Sequence, residues 1–285
     1  MRLGQLDPAT AVDYGLFVQA AYEIYDHDPN NLNPSWTGPS FPSDYKLYLT
    51  IQMKEYFVDW SQRLFYGFFA QSKVDPNFFV VALRGTRTKE EWWLDFHWEL
   101  VPCLLCGGAG NVASGFRDIY DTMTYMKPSK EDDPRPLREA LTDVADGFQM
   151  TVTGHSLGSA LITLFALEQT CTSTINPTIY TFASPRVGDK DFVTKFYEQV
   201  STSHRVWNYW DEVTYWPKNL PWADQFYHVK GGREITSYEY VDPANLPCDH
   251  ALNTYLYVLD RMDPNHSHDI TLNPDCQWLD KLRSG

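Results

Sequence analysis

The chain has 285 residues, 43% hydrophobic and 21% charged, which is enough for one sizeable core and too apolar for disorder on compositional grounds. Its formal charge of −14 argues against a nucleic-acid partner, which needs clustered Lys and Arg, and against a strongly anionic membrane surface. The 10 Trp, 18 Tyr and 16 Phe exceed what a core takes up and leave material for an apolar cleft or a lipid-facing surface.

The first eight residues hold no apolar run, so no signal peptide is visible, and no run reaches the length of a transmembrane segment. The five cysteines (103, 106, 171, 248, 276) are odd in number and scattered, which favours reduced thiols and a cytoplasmic location. A secreted mature chain is the alternative. Asp7-Pro8 predicts an N-cap and a helix over 8–25, and the Pro-, Asn- and Ser-rich stretch 26–44 reads as loop. Strands follow over 47–53, 63–71 and 78–83, the last two separated by an Asp75-Pro76-Asn77 turn. The segment 115–146 reads as helical, interrupted over 127–136. Beyond it come strand 148–153, helix 157–169, strand 178–183, helix 189–200, strand 204–209, an edge strand at 225–229 and a helix over 250–262. Strands alternating with helices from about residue 78 imply an α/β fold with a mostly parallel sheet covered on both faces. The earlier strands would extend that sheet, antiparallel, at an edge. No repeat or linker divides the chain, so a single domain over 1–285 is expected.

Gly154-His155-Ser156-Leu157-Gly158 matches G-x-S-x-G. The pentapeptide alone is weak, but here a strand runs in and an apolar helix runs out. That context forces the serine into a strained turn with its hydroxyl presented for attack, and the helix N-terminus lies under a developing oxyanion. The two glycines are needed where strand and helix pack closely.

Further blocks occur in a fixed order. They are Val81-Ala82-Leu83-Arg84-Gly85-Thr86, then Trp92 and Asp95, Gly115-Phe116, and Thr181 to Gly188. Asn208-Tyr209-Trp210-Asp211-Glu212-Val213 running to Pro217, and Asp249-His250 with Tyr255, complete the set. Together with G-x-S-x-G this order resembles the class 3 lipases, the family of the filamentous-fungal triacylglycerol lipases, over residues 78–260. The N-terminal Ala20-Ala21-Tyr22 is a looser match. The resemblance implies an α/β-hydrolase fold with a lid segment after the oxyanion strand.

The chain order Ser…Asp…His of this layout selects among the later histidines, 204, 228, 250, 266 and 268. His250 is chosen because Asp249 reads as an N-cap, placing it at a loop-to-helix junction where open α/β sheets bind ligands. The helix dipole there disfavours an imidazolium and a carboxylate favours it, so the ring stands ready to accept the Ser156 proton. Asp211, just after a strand, is the carboxylate partner, with Glu212 and Asp224 as rivals. The backbone N–H of Leu157 is one oxyanion donor. The resemblance implies Thr86 as the other, with Asp95 orienting its hydroxyl. It also places a lid at 89–96, with Trp92 and Trp93 meeting substrate; a fixed surface helix is the plainer reading. The Cys- and Gly-rich stretch 102–110 departs from the family.

Neither Cys103-x-x-Cys106 nor His266-Ser267-His268 offers a complete ligand set, so no metal and no cofactor is expected. The function expected is carboxylic-ester hydrolysis through an acyl-enzyme, with neutral glycerides as substrate met at a lipid–water interface. Short-chain or feruloyl-type esters and phospholipids are alternative substrates. An acyltransferase with the same triad and a non-catalytic lipid-binding protein are the alternative functions.

Overall fold

Asp7 caps the first helix by accepting the Thr10 amide at 3.0 Å, and α1 runs over Pro8–His27. The computed structural model describes residues 6–54, 62–87, 96–128, 133–140, 148–219, 225–242 and 245–277. Strands β1 (Tyr45–Lys54), β2 (Arg63–Ser72) and β3 (Phe78–Leu83) follow where the sequence predicted strands. A small two-stranded sheet of β4 (Leu100–Pro102) and β5 (Asn111–Ala113) leads into α2 (Ser114–Asp121). Strands β6 (Thr124–Met126), β7 (Arg135–Pro136) and β8 (Gln149–His155) precede α3 (Leu157–Thr172). The chain continues through β9 (Thr178–Phe182), α4 (Lys190–Gln199), β10 (Thr202–Asn208) and β11 (Gly232–Ile235). It then forms the short α5 (Leu246–His250) and α6 (Leu252–Met262).

The main sheet has the order β11-β10-β9-β8-β3-β2-β1-β6-β7. From β3 to β11 every pairing is parallel, and from β3 through β2 and β1 to β7 every pairing is antiparallel. Successive side chains of a strand point to opposite faces, and β3 shows it: Phe79, Val81 and Leu83 enter the core beneath α2 and α3. Phe78, Val80 and Ala82 enter the core beneath α1 and α6. The bulge where Ile51 faces Gly67 but Gln52 faces Phe65 skips Tyr66 and changes which face β2 presents.

Four expectations are corrected. The helix read over 115–146 ends at Asp121, because the free edge of β1 recruits Thr124–Met126 as a strand instead. The edge strand is Gly232–Ile235 rather than 225–229, where only Tyr227 makes an isolated bridge to Gly188. Gly231 at φ +94 makes the turn into β11, and a polar edge strand of this kind carries little propensity signal. The helix read from His250 is two helices, because Pro247 starts α5 earlier and the chain breaks at Ala251. Lastly, the thiols are not all reduced. Cys106–Cys171 and Cys248–Cys276 are disulfides and only Cys103 is free, so Cys103-x-x-Cys106 is not a pair. The cytoplasmic location loses the support it drew from those thiols. Among the described residues no helix is long and apolar enough to cross a membrane.

Candidate active site

The C-terminal ends of the parallel strands converge, and the chain leaves β8 into α3 through Ser156 at φ 56, ψ −125. A non-glycine residue there is strained, and the strain persists because packing on both sides fixes it. A Cβ on Gly154 would lie 2.6 Å from the Gly158 carbonyl oxygen, and one on Gly158 would lie 2.3 Å from that of Arg84. The motif's glycines are therefore required by strand–helix contact.

The His250 ring bridges two groups. Its Nε2 lies 2.8 Å from Ser156 Oγ and its Nδ1 lies 2.8 Å from Asp211 Oδ2. Because a carboxylate only accepts, Nδ1 carries the proton, leaving Nε2 to accept from the serine hydroxyl. Asp211 is 1% exposed and accepts three hydrogen bonds: from His250, from the Val213 amide at 3.0 Å and from Tyr255 Oη at 2.6 Å. Burial and the adjacent Asp211 carboxylate push the Tyr255 hydroxyl well above its ordinary range, so it stays a donor. A hydroxyl bonded to an imidazole held by a buried carboxylate is the geometry of nucleophilic acyl transfer.

His250 ends α5 rather than starting a helix, and Asp249 is not its cap. Asp249 is fully buried and accepts from Ser237 Oγ at 2.5 Å, and burial pushes its carboxyl up to about 6. Asn208 donates to the Asp249 carbonyl at 3.0 Å and to Ser237 Oγ at 2.9 Å, tying the His250 segment to the end of β10.

The rival residues lie elsewhere. Glu212 is exposed and Asp224 lies outside the described residues. His204 stacks on Tyr180, burial pushes His228 down to about 3, His266 meets the Asp260 carbonyl and His268 meets Asp13.

Sequence reasoning missed a second histidine. His155 Nε2 donates to the His250 carbonyl at 2.8 Å, which fixes its Nδ1 as acceptor of the Tyr22 hydroxyl, also at 2.8 Å. Tyr22 Oη in turn accepts the Gly85 amide at 2.8 Å. Burial, then the neighbouring His250 ring, holds His155 well below its ordinary range, so it remains neutral. The residue before the nucleophile thus connects the Gly85-Thr86 loop to the backbone of His250. The chain order Ser…Asp…His points only to histidines after Ser156; the signal in the sequence is a histidine inside the pentapeptide together with Tyr22.

The Gly85 backbone lies against Ser156, since a Cβ there would sit 2.9 Å from that of Ser156. Arg84, fully buried, holds this loop by donating to the Gly85 carbonyl at 2.7 Å and to that of Phe65 at 3.0 Å. Its guanidinium lies 3.7 Å from the Tyr25 ring centroid and 4.1 Å from that of Tyr66. Thr86 is half-buried beside this loop, and Leu157 is fully buried at the start of α3. Trp92, Trp93 and Asp95 lie outside the described residues; Phe96, at the end of the expected lid, is buried against Phe116 and Trp98.

The strand order, the crossovers and a nucleophile turn after the central parallel strand define an α/β-hydrolase fold. The lipase from Rhizomucor miehei, solved as its native propeptide complex, has a similar fold. It is 20% identical with a TM-score of 0.57, over 95% of this chain and 82% of that one. Lip2 lipase from Yarrowia lipolytica aligns with a TM-score of 0.54 at 19% identity, over 80% of this chain and 78% of that one. Residues 80–220 match the family described as Lipase (class 3), and the chain belongs to that family. It is 27% identical to the chloroplastic phospholipase A1-Ialpha2 of Arabidopsis thaliana, over 88% of this chain and 64% of that protein. It is also 27% identical to the chloroplastic galactolipase DONGLE of the same plant, over 64% of this chain and 45% of that protein. The chain therefore spans less than two thirds of the length of either relative.

Proposed function

We propose that the protein hydrolyses carboxylic esters of lipids through an acyl-enzyme on Ser156, acting as one domain over 1–285. The observation that carries the reading is the continuous hydrogen-bonded line from Ser156 through His250 to the buried Asp211. His250 takes the serine proton as the hydroxyl attacks, and Asp211 stabilises the imidazolium that forms. The Leu157 and Thr86 amides hold the oxyanion, with Asp95 orienting the Thr86 hydroxyl. The alcohol leaves with the proton from His250, and water then deacylates the serine by the same route. Trp92 and Trp93 belong to a cover over this site that meets the acyl chain.

The net charge of −14 favours neutral glycerides over anionic lipids at an interface. A second reading, polar glycerolipids, is favoured by relatives named as a phospholipase A1 and a galactolipase. Two disulfides support an oxidising compartment over the cytoplasm.

The test is turnover of p-nitrophenyl esters from acetate to palmitate by the wild-type chain and by Ser156→Ala. A drop of about 10⁶-fold is expected in the variant, with folding unchanged. Equal inertness of both proteins, and failure of a fluorophosphonate to label Ser156, would sink the hydrolase reading in favour of lipid binding. Triglyceride, phosphatidylcholine and galactosyl diglyceride compared side by side then rank the substrates. Added alcohol, with its ester as product, separates an acyltransferase from a hydrolase.

A further inference from the structure

Behind the Ser156–His250–Asp211 line runs a second line of hydrogen bonds that touches neither the serine hydroxyl nor the Asp211 carboxylate. It starts at the Gly85 backbone, passes through two buried side chains and ends on the backbone of His250. The Gly85 amide donates to Tyr22 Oη, Tyr22 Oη donates to His155 Nδ1, and His155 Nε2 donates to the His250 carbonyl, each at 2.8 Å. Tyr22 is 6% exposed and His155 is 3% exposed, so little water competes for these bonds. The His155 and His250 ring centroids lie 4.9 Å apart.

The same tyrosine brackets Thr86. On one side of that residue the Gly85 amide is fastened to Tyr22 Oη. On the other, the Arg87 guanidinium lies 4.4 Å from the centroid of the Tyr22 ring, and its Nε donates to Asp26 Oδ1 at 3.0 Å. Tyr22 and Asp26 stand four residues apart on α1 and so share one face of that helix. The Gly85-Thr86 loop is thus anchored to α1, whereas His250 ends α5. Among the described residues of these two lines, His155 is the side chain bonded towards both.

We propose, resting on the hydrolase reading above, that His155 is a positioning residue for that reaction: it holds the His250 imidazole and the Gly85-Thr86 loop at a fixed separation on either side of Ser156. In acyl transfer the imidazole gains charge on one side of the serine while a negative oxygen forms on the other. Both partners must therefore keep their places through the same step, and a shift of about 1 Å in either can cost about 10²-fold in rate. A neutral imidazole suits this task because one ring nitrogen accepts while the other donates, on opposite edges of a rigid ring. A side-chain amide replaces only half of it. Asn presents its amide where Nδ1 lies and Gln where Nε2 lies.

The experiment compares p-nitrophenyl butyrate turnover by the wild type, His155→Gln, His155→Asn, Tyr22→Phe, and Tyr22→Phe combined with each His155 variant, with thermal midpoints alongside. His155→Gln keeps the donor to the His250 carbonyl and loses the acceptor for Tyr22; His155→Asn does the reverse. Each single variant is expected to lower kcat about tenfold at unchanged KM. Tyr22→Phe should lower kcat further in His155→Asn, where its bond to residue 155 survives, than in His155→Gln, where that bond is already gone. The NMR signal of the His250 Nδ1 proton should stay in place in His155→Gln and move in His155→Asn. Lower thermal midpoints with kcat per folded molecule unchanged would reduce His155 to a structural role and overturn the proposal, as would equal effects of Tyr22→Phe in both backgrounds. Should neither His155 variant fold, Tyr22→Phe decides alone: a tenfold lower kcat at unchanged KM supports the proposal and an unchanged kcat overturns it. A wild type inert towards the ester removes the hydrolase reading and the positioning role together. An active wild type beside equally active variants removes the positioning role alone.

Discussion

The antiparallel and parallel halves of the main sheet are buried alike, but their ends carry different chemistry. In the antiparallel half Phe65, Phe68 and Phe69 of β2 are fully buried, and its turns, such as Asp75 to Asn77, are closed by their own backbone and side-chain hydrogen bonds. In the parallel half the loops after β3, β8 and β10 deliver Gly85, Ser156 and Asp211 to one place. Consecutive antiparallel strands place their loops at opposite edges of a sheet. Parallel strands return by crossovers, so all their C-terminal ends face one side and can share a site. Burial therefore does not mark function in this fold; strand direction does.

Substitutions can test that separation. The largest effect is expected at the parallel ends. Asp211→Asn should lower kcat by about 10⁴-fold by losing the carboxylate that sets the His250 tautomer, with little change in thermal midpoint. A loss below tenfold would mean that the His250–Asp211 bond is not used in turnover. In the antiparallel half the pattern should reverse. Phe69→Ala, deleting a buried ring packed edge-on against Phe165, should cost about 3–5 kcal/mol in denaturant unfolding. Its kcat per folded molecule should stay near wild type; a parallel fall in kcat would erase the distinction between the halves.

A smaller effect is expected at Tyr255→Phe, which removes one of three hydrogen bonds to Asp211 while keeping the ring. The loss of a hydrogen bond to a charged group predicts a drop in kcat of about tenfold, with KM unchanged. Asp249→Asn should give the smallest effect on kcat. Burial raises this acid from 3.8 to about 6, so between those values the folded chain holds a proton that the unfolded chain releases. Stability from this group is present at low pH and is lost as pH rises through about 6. In Asp249→Asn that loss, about 2–3 kcal/mol, should vanish from the difference between unfolding at pH 4 and at pH 7. An unchanged difference would place the ionisation elsewhere.

Much of the fold was legible because periodicity is local. The apolar runs of β3 and α3 each announce an element buried on both sides, and Asp7-Pro8 announces the start of α1. The strained turn at Ser156 was legible for the same reason, since strand, glycine, serine and glycine lie within a few residues. Where an element depended on a distant partner, the reading failed. Thr124–Met126 became a strand because β1 offered an edge, and Gly232–Ile235 became one because β10 did. The residue choices His250 and Asp211 coincide with the hydrogen-bonded line, but the reason given for His250 does not, since a break at Ala251 separates it from the helix it was read to begin.

The sequence by itself determined α1, the strands β1 to β3 and the run from β8 through α3, β9 and α4 to β10, the strained turn at Ser156 and the candidates for its partners, because each rests on residues adjacent in the chain. Tertiary structure alone decided that Tyr22, 133 residues from His155, completes the link to the Gly85 loop. It alone decided that Tyr255 and Val213 hold Asp211 from opposite oxygens, and that Cys106 pairs with Cys171 rather than with Cys103. The physical reason is common to all three. Hydrogen bonds and disulfides need atoms brought within a few ångströms, and across such separations only the packing of the whole sheet and its helices sets those distances.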